Sequence, residues 1–217
     1  MLKAIKNHLL TNFTLQFALA LTLFVVSAYW ASHQTISDFE AAAFNSIYNW
    51  PDYWRPFFLV VTQAGSIYLL ALLAVLYLTK RYYHIVIRLL MSGLLAYLLA
   101  GVAKDLFGRP RPDGLLLDII VRDFYVRGPG FPSGHVAMAT AMAFTLARYM
   151  PRKYLWTVPV GIGLVAVSRI YLGVHAPLDL VGGFALGWIS TLLFRNVKLR
   201  DIKKNPQTNK VKALKKK

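Results

Sequence analysis

Of the 217 residues, 57% are hydrophobic and the mean hydropathy is +0.47, more apolar weight than a soluble domain of this length carries. A net charge of +16 fits nucleic acid, acidic lipid or a membrane protein with a basic cytoplasmic side, and the distribution along the chain decides among them. With no cysteine, disulfides and thiolate metal sites are excluded.

Leu9 to Ser32 holds no charged residue and no histidine over 24 residues, enough to cross a hydrocarbon core. Lys3 and Lys6 resemble a signal-peptide leader. The apolar stretch exceeds the roughly 7–15 residues of a signal core, however, which predicts a retained anchor. Pro56 to Thr79 is a second charge-free run of 24 residues. Four further runs follow: Leu89–Ala103, Val136–Ala147, Tyr154–Ser168 and Leu180–Phe194, each of only 12 to 15 residues. At about 1.5 Å per residue, 15 residues reach about 22 Å, short of a core of roughly 30 Å. The helices are therefore expected to run past the flanking charges. That places Lys104, His135, Arg169 and Asp179 at helix ends near one membrane surface. Ionisable groups there are costly and should face the bundle interior for a function.

Six spans with both termini cytoplasmic satisfy the charge pattern. Every inside segment is basic, and together these segments carry most of the 25 Lys and Arg, whereas every acidic residue except Asp201 falls outside. The cations left outside are Arg55, Lys104, Arg109, Arg111, Arg122, Arg127 and Arg169. All but Arg55 belong to the third-to-fourth loop, its helix ends or the end of the fifth span, and an anionic ligand there accounts for them. Residues 1–200 read as one six-span domain. The polar, lysine-rich stretch 201–217 reads as a disordered cytoplasmic tail against anionic lipid headgroups rather than a nucleic-acid binder.

Three clusters share the outer side. In KDLFGRPRP (104–112), Gly108, Pro110 and Pro112 end the third helix and present Lys104 beside forked guanidiniums, a set suited to phosphate oxygens. In PSGH (132–135), Ser133 is placed to cap a helix whose N–H groups attract an anion. Gly134 leaves the backbone open there, and His135 lies in the first turn to exchange a proton. In SRIYLGVHAPLD (168–179), Gly173 permits a sharp turn and His175 stands four residues before Asp179. A carboxylate on one imidazole nitrogen leaves the other free to attack. The set is what phosphoryl transfer through a phosphohistidine requires, and no metal or cofactor is called for.

These residues resemble the type 2 phosphatidic acid phosphatase (PAP2) superfamily, whose pattern K-x6-RP, PSGH, SR-x5-H-x3-D is matched at every defining position. The resemblance implies a six-transmembrane helix bundle with its site at the extracytoplasmic face of a bacterial inner membrane. It also implies His175 as nucleophile, Asp179 as its orienter, His135 as general acid, and Lys104, Arg111, Ser133, Gly134 and Arg169 as phosphate binders. Arg109 lies outside the pattern and ranks lower. The implied substrate is a membrane lipid phosphate, with undecaprenyl diphosphate favoured. Phosphatidylglycerol phosphate, phosphatidic acid, the phosphates of lipid A and a lipid phosphotransferase reaction are alternatives. Arg122 and Arg127 would suit a second phosphate or be plain loop charges. The rival of another class is a non-catalytic lipid- or anion-binding membrane protein. Oligomeric state is not encoded legibly.

Overall fold

A computed structural model describes residues 12–124, 126 and 128–195, and all regular structure among them is helical. Leu9 to Thr11, Arg127 and the tail fall outside the described residues. Helix α1 spans Phe13–Ser32 and starts at Asn12, whose side chain accepts from the Leu15 N–H at 3.3 Å. Helix α2, Asp38–Tyr48, is an element the apolar runs do not announce; Ser37 caps it by accepting from Glu40 N–H at 3.2 Å.

The run Pro56–Thr79 is divided. Helix α3 (Arg55–Val61), a 3-10 turn (Thr62–Gly65) and helix α4 (Ile67–Thr79) occupy it, and the two halves meet at a 58° bend. Ser66 makes the break: its backbone is extended, and its Oγ caps α4 by accepting from Leu69 N–H at 3.3 Å. A Cβ on Gly65 would collide with the backbone carbonyl of His135, so this bend is what lets the broken segment close on the candidate site.

Helix α5 runs Tyr83–Phe107 and, as expected, continues past both Arg88 and Lys104. It stops at Gly108, which adopts the left-handed conformation at φ 59°. The single turn α6 (Pro112–Leu115) follows, then α7 (Gly134–Ala147), α8 (Thr157–Tyr171) and α9 (Pro177–Leu193). Among the described residues, three helical segments, Phe13–Ser32, Tyr83–Leu115 and Arg152–Tyr171, are long and apolar enough to cross a membrane, with a fourth if the bent pair is one span. Helices α7 and α9 are apolar but shorter, at 14 and 17 residues.

Small residues set the spacing of the bundle. Ala20, Ala96, Ala100, Ala137 and Ala141 form one buried cluster with Leu186, drawing α1, α5, α7 and α9 together. A Cβ on Gly183 would fall on the Ser133 carbonyl, and one on Gly187 on the Ala137 carbonyl. Glycine at both places is what seats α9 directly on α7, the two helices whose N-termini carry the histidine clusters. Gly183→Val is expected to destabilise the fold by about 1–3 kcal/mol through overpacking, read as a lower melting temperature in detergent. An unchanged melting temperature would contradict this close approach.

Candidate active site

The N-termini of α7 and α9 meet side by side: Ser133 N–H donates to the Asp179 carbonyl at 2.8 Å. His175 precedes α9, in the turn that Gly173 makes possible at φ 71°. Its Nδ1 lies 3.3 Å from Asp179 Oδ2, and that same oxygen accepts the Ala176 N–H at 3.0 Å. Asp179 is fully buried and His175 is 2% exposed, so the pair is held away from competing water. Gly130 crosses immediately above it, where a Cβ would lie 2.9 Å from Asp179 Oδ2.

The cations converge on the same ring. The charges of Lys104, Arg111 and Arg169 all act on His175, as does the nearby His135. Burial first, and then those cations, holds the imidazole pKa well below its ordinary value of 6.5. Both effects favour the neutral form of the ring. With Nδ1–H donated to Asp179, the Nε2 lone pair is left available.

Each cation is fixed by a separate anchor. Lys104, in the last turn of α5, donates to the carbonyls of Pro129 at 2.6 Å and Gly130 at 3.1 Å. Arg111 Nε donates to the Gly128 carbonyl and its NH1 to the Val174 carbonyl, both at 2.8 Å. Arg169, in the last turn of α8, is 3% exposed. Its NH1 donates to Thr62 Oγ1 and to Asp123 Oδ2, each at 2.7 Å. Arg111 and Asp123 also line a cleft of about 650 Å³ with Pro110, Asp113 and Phe124, which opens beside the site.

Ser133 occupies the N-cap position of α7, but its side chain does not cap the helix. Its Oγ is buried with no hydrogen-bond partner, and so is Arg169 Nε. Buried polar atoms left in this state are costly unless a ligand completes them. An anion placed among Lys104, Arg111, Arg169 and the first N–H groups of α7 would do so. The structure thus brings together Lys104, Arg111, Ser133, Gly134, His135, Arg169, His175 and Asp179. Among the described residues, no group of three or more His, Asp or Glu is disposed to hold a metal ion.

Sequence reasoning ranked Arg109 low, and the structure places it at the centre of the site's support. It is 0% exposed. Its NH1 donates to Asp179 Oδ1 at 2.9 Å and to Glu40 Oε1 at 3.1 Å, and its NH2 to Glu40 Oε2 at 2.7 Å and the Thr35 carbonyl at 2.8 Å. Glu40 also accepts the Leu178 N–H at 2.9 Å, so α2 reaches the start of α9 through one carboxylate. Asp123 and Thr62, which orient Arg169, were likewise missed. Glu40 and Asp123 are two of the eight acids that the charge pattern places on the outer side, and nothing local in the sequence sets them apart from the others.

Arg122 is engaged by groups of the protein itself. Its Nε pairs with Asp52 at 3.2 Å, and its NH1 donates to the Tyr48 and Tyr171 carbonyls at 2.7 and 2.9 Å. Its guanidinium lies 4.2 Å from the Tyr48 ring centroid, so it ties α2 to the end of α8.

The family model described as the PAP2 superfamily matches residues 85–203. An undecaprenyl-diphosphatase of Sulfolobus acidocaldarius is 34% identical over 136 residues, which is 62% of this chain and 66% of that protein. A lipid A 4'-phosphatase of Porphyromonas gingivalis is 35% identical over 117 residues, covering 51% of this chain and 50% of that protein. The match thus spans about half to two thirds of the length of these relatives. The crystal structure of Aquifex aeolicus LpxE superposes with a TM-score of 0.66 at 30% identity, over 73% of this chain and 97% of that one.

Proposed function

The chain belongs to the PAP2 superfamily, and on that premise we propose that it is an integral membrane lipid phosphatase working through a phosphohistidine at His175. The observation that carries the reading is the buried His175–Asp179 pair at 3.3 Å, flanked by Lys104 on the Gly130 carbonyl and Arg111 on the Val174 carbonyl. Nε2 of His175 attacks phosphorus as the bond to the lipid oxygen breaks, and His135 gives that oxygen its proton. Lys104, Arg111, Arg169, Ser133 Oγ and the backbone around Gly134 hold the equatorial oxygens. Water then attacks the phosphohistidine, with His135 taking its proton, and inorganic phosphate leaves. Asp179 keeps Nδ1 protonated and steadies the charge on the ring.

In this reading residues 1–200 form six spans, both termini lie on the cytoplasmic side, and the site faces the extracytoplasmic side of the inner membrane. The short lengths of α7 and α9 support it. Both begin at the buried site, so they need to cross only the remaining depth, while the irregular segments before them are enclosed by protein. The basic stretch 201–217 is then a cytoplasmic arm.

The substrate favoured is undecaprenyl diphosphate, yielding the monophosphate. Similarity to an undecaprenyl-diphosphatase supports this choice. A panel of purified lipid phosphates, with phosphate release measured on each, tests it. The largest kcat/KM is expected for undecaprenyl diphosphate over phosphatidylglycerol phosphate, phosphatidic acid and lipid A. A larger value for any of the others would reassign the substrate, and release from none would remove the enzymatic reading.

A further inference from the structure

A second charged cavity lies at the opposite end of the bundle, about 20 Å along α7 from Gly134. It measures about 390 Å³ and is an open groove bordered by the C-terminal end of α7, the C-terminal half of α9 and the first turn of α1. Arg148, Arg195 and Gln16 form its polar end, and Phe144, Phe184 and Trp188 its apolar walls. The three rings pack as a unit, with centroids 5.8 to 6.2 Å apart.

Both guanidiniums belong to the lining of this one cavity. Arg148 NH1 donates to the Arg195 carbonyl, and Arg195 NH1 to Gln16 Oε1, each at 3.2 Å. The charges of Arg88 and Arg195 both act on Arg148. Among the described residues, no carboxylate pairs with Arg148 or Arg195. Beyond residue 195, Asp201 is the sole acidic side chain among many lysines, so the chain offers little anionic charge of its own to this cluster. Like charges gathered beside an aromatic wall call for an outside anion with an apolar body.

We propose that this cavity binds the headgroup phosphate of an anionic phospholipid, whose acyl chains lie along Phe144, Phe184 and Trp188, as a site separate from the catalytic centre. A free phosphate would satisfy the guanidiniums but leave the aromatic wall uncovered.

The test uses the full-length chain in detergent carrying His175→Ala, so that nothing turns over. Excess inorganic phosphate is present, and lipid retention is read by native mass spectrometry. Phosphatidylglycerol is expected to be retained in preference to phosphatidylcholine, and Arg148→Gln/Arg195→Gln to weaken its binding by about 25-fold, roughly fivefold per guanidinium. The same double substitution in the otherwise native chain should leave phosphate release intact, which separates a lost lipid site from a lost fold. Equal retention of phosphatidylglycerol by the double variant would overturn the proposal. So would its displacement by inorganic phosphate, which would make this a free-anion site. Binding that appears only after removal of residues 196–217 would assign the cavity to the chain's own tail and overturn it as well.

Discussion

His175→Ala is expected to lower phosphate release by at least about 10⁴-fold while leaving expression and melting nearly unchanged. Removing a covalent nucleophile costs that much because the remaining groups hold the substrate without a route to the intermediate. The fold should tolerate the change. Asp179 keeps its bonds to Arg109 at 2.9 Å and to Ala176 N–H at 3.0 Å, so no carboxylate is stranded. Phosphate release by purified protein, measured beside a thermal melt, checks both halves. Full activity in this variant would move the nucleophile elsewhere, and a collapsed melt would make His175 a structural residue.

Arg109→Met should have the largest effect on stability. The guanidinium is the shared partner of two buried carboxylates, Glu40 and Asp179, whose side chains are 5% and 0% exposed. Removing one member of such a set leaves uncompensated charge and is expected to cost about 3–5 kcal/mol. Arg109 acts on catalysis through Asp179 and is a positioning residue, so the milder Arg109→Lys separates its two effects. Lysine retains the charge but lacks the planar fork that spans both acids. The expected outcome is a folded protein with kcat reduced about 10-fold or more and KM nearly unchanged, since the substrate phosphate is held by other groups. Wild-type kcat in Arg109→Lys, together with a wild-type melt in Arg109→Met, would show that the Glu40–Arg109–Asp179 chain supports neither stability nor chemistry.

How legible these features were depends on range. Charge-free runs announced the helices because a bilayer interior excludes charge, and the three motifs announced the site because their chemistry is carried by residue types at short spacing. The break at Gly65 and Ser66 was concealed inside a run with no charge to mark it; only the capping serine recorded it. Arg109 was undervalued for a different reason. Its partners Glu40 and Asp179 lie 69 and 70 residues away along the chain, on either side of it, and nothing local links them. Asp123 and Arg169 are separated by 46 residues in the same way. Ser133 was expected as a cap, which is what local propensity predicts. Its Oγ is instead buried without a hydrogen-bond partner, a departure from local preference of the kind found where function overrides it.

Rapid-quench digestion of the native protein during turnover, with the modified peptide mapped by mass spectrometry, bears most directly on the proposed chemistry. The expected result is a phosphate on His175, acid-labile and absent from His175→Ala. A phosphate on another residue, or single-turnover hydrolysis that proceeds with inversion at phosphorus and without a phosphoenzyme, would contradict it.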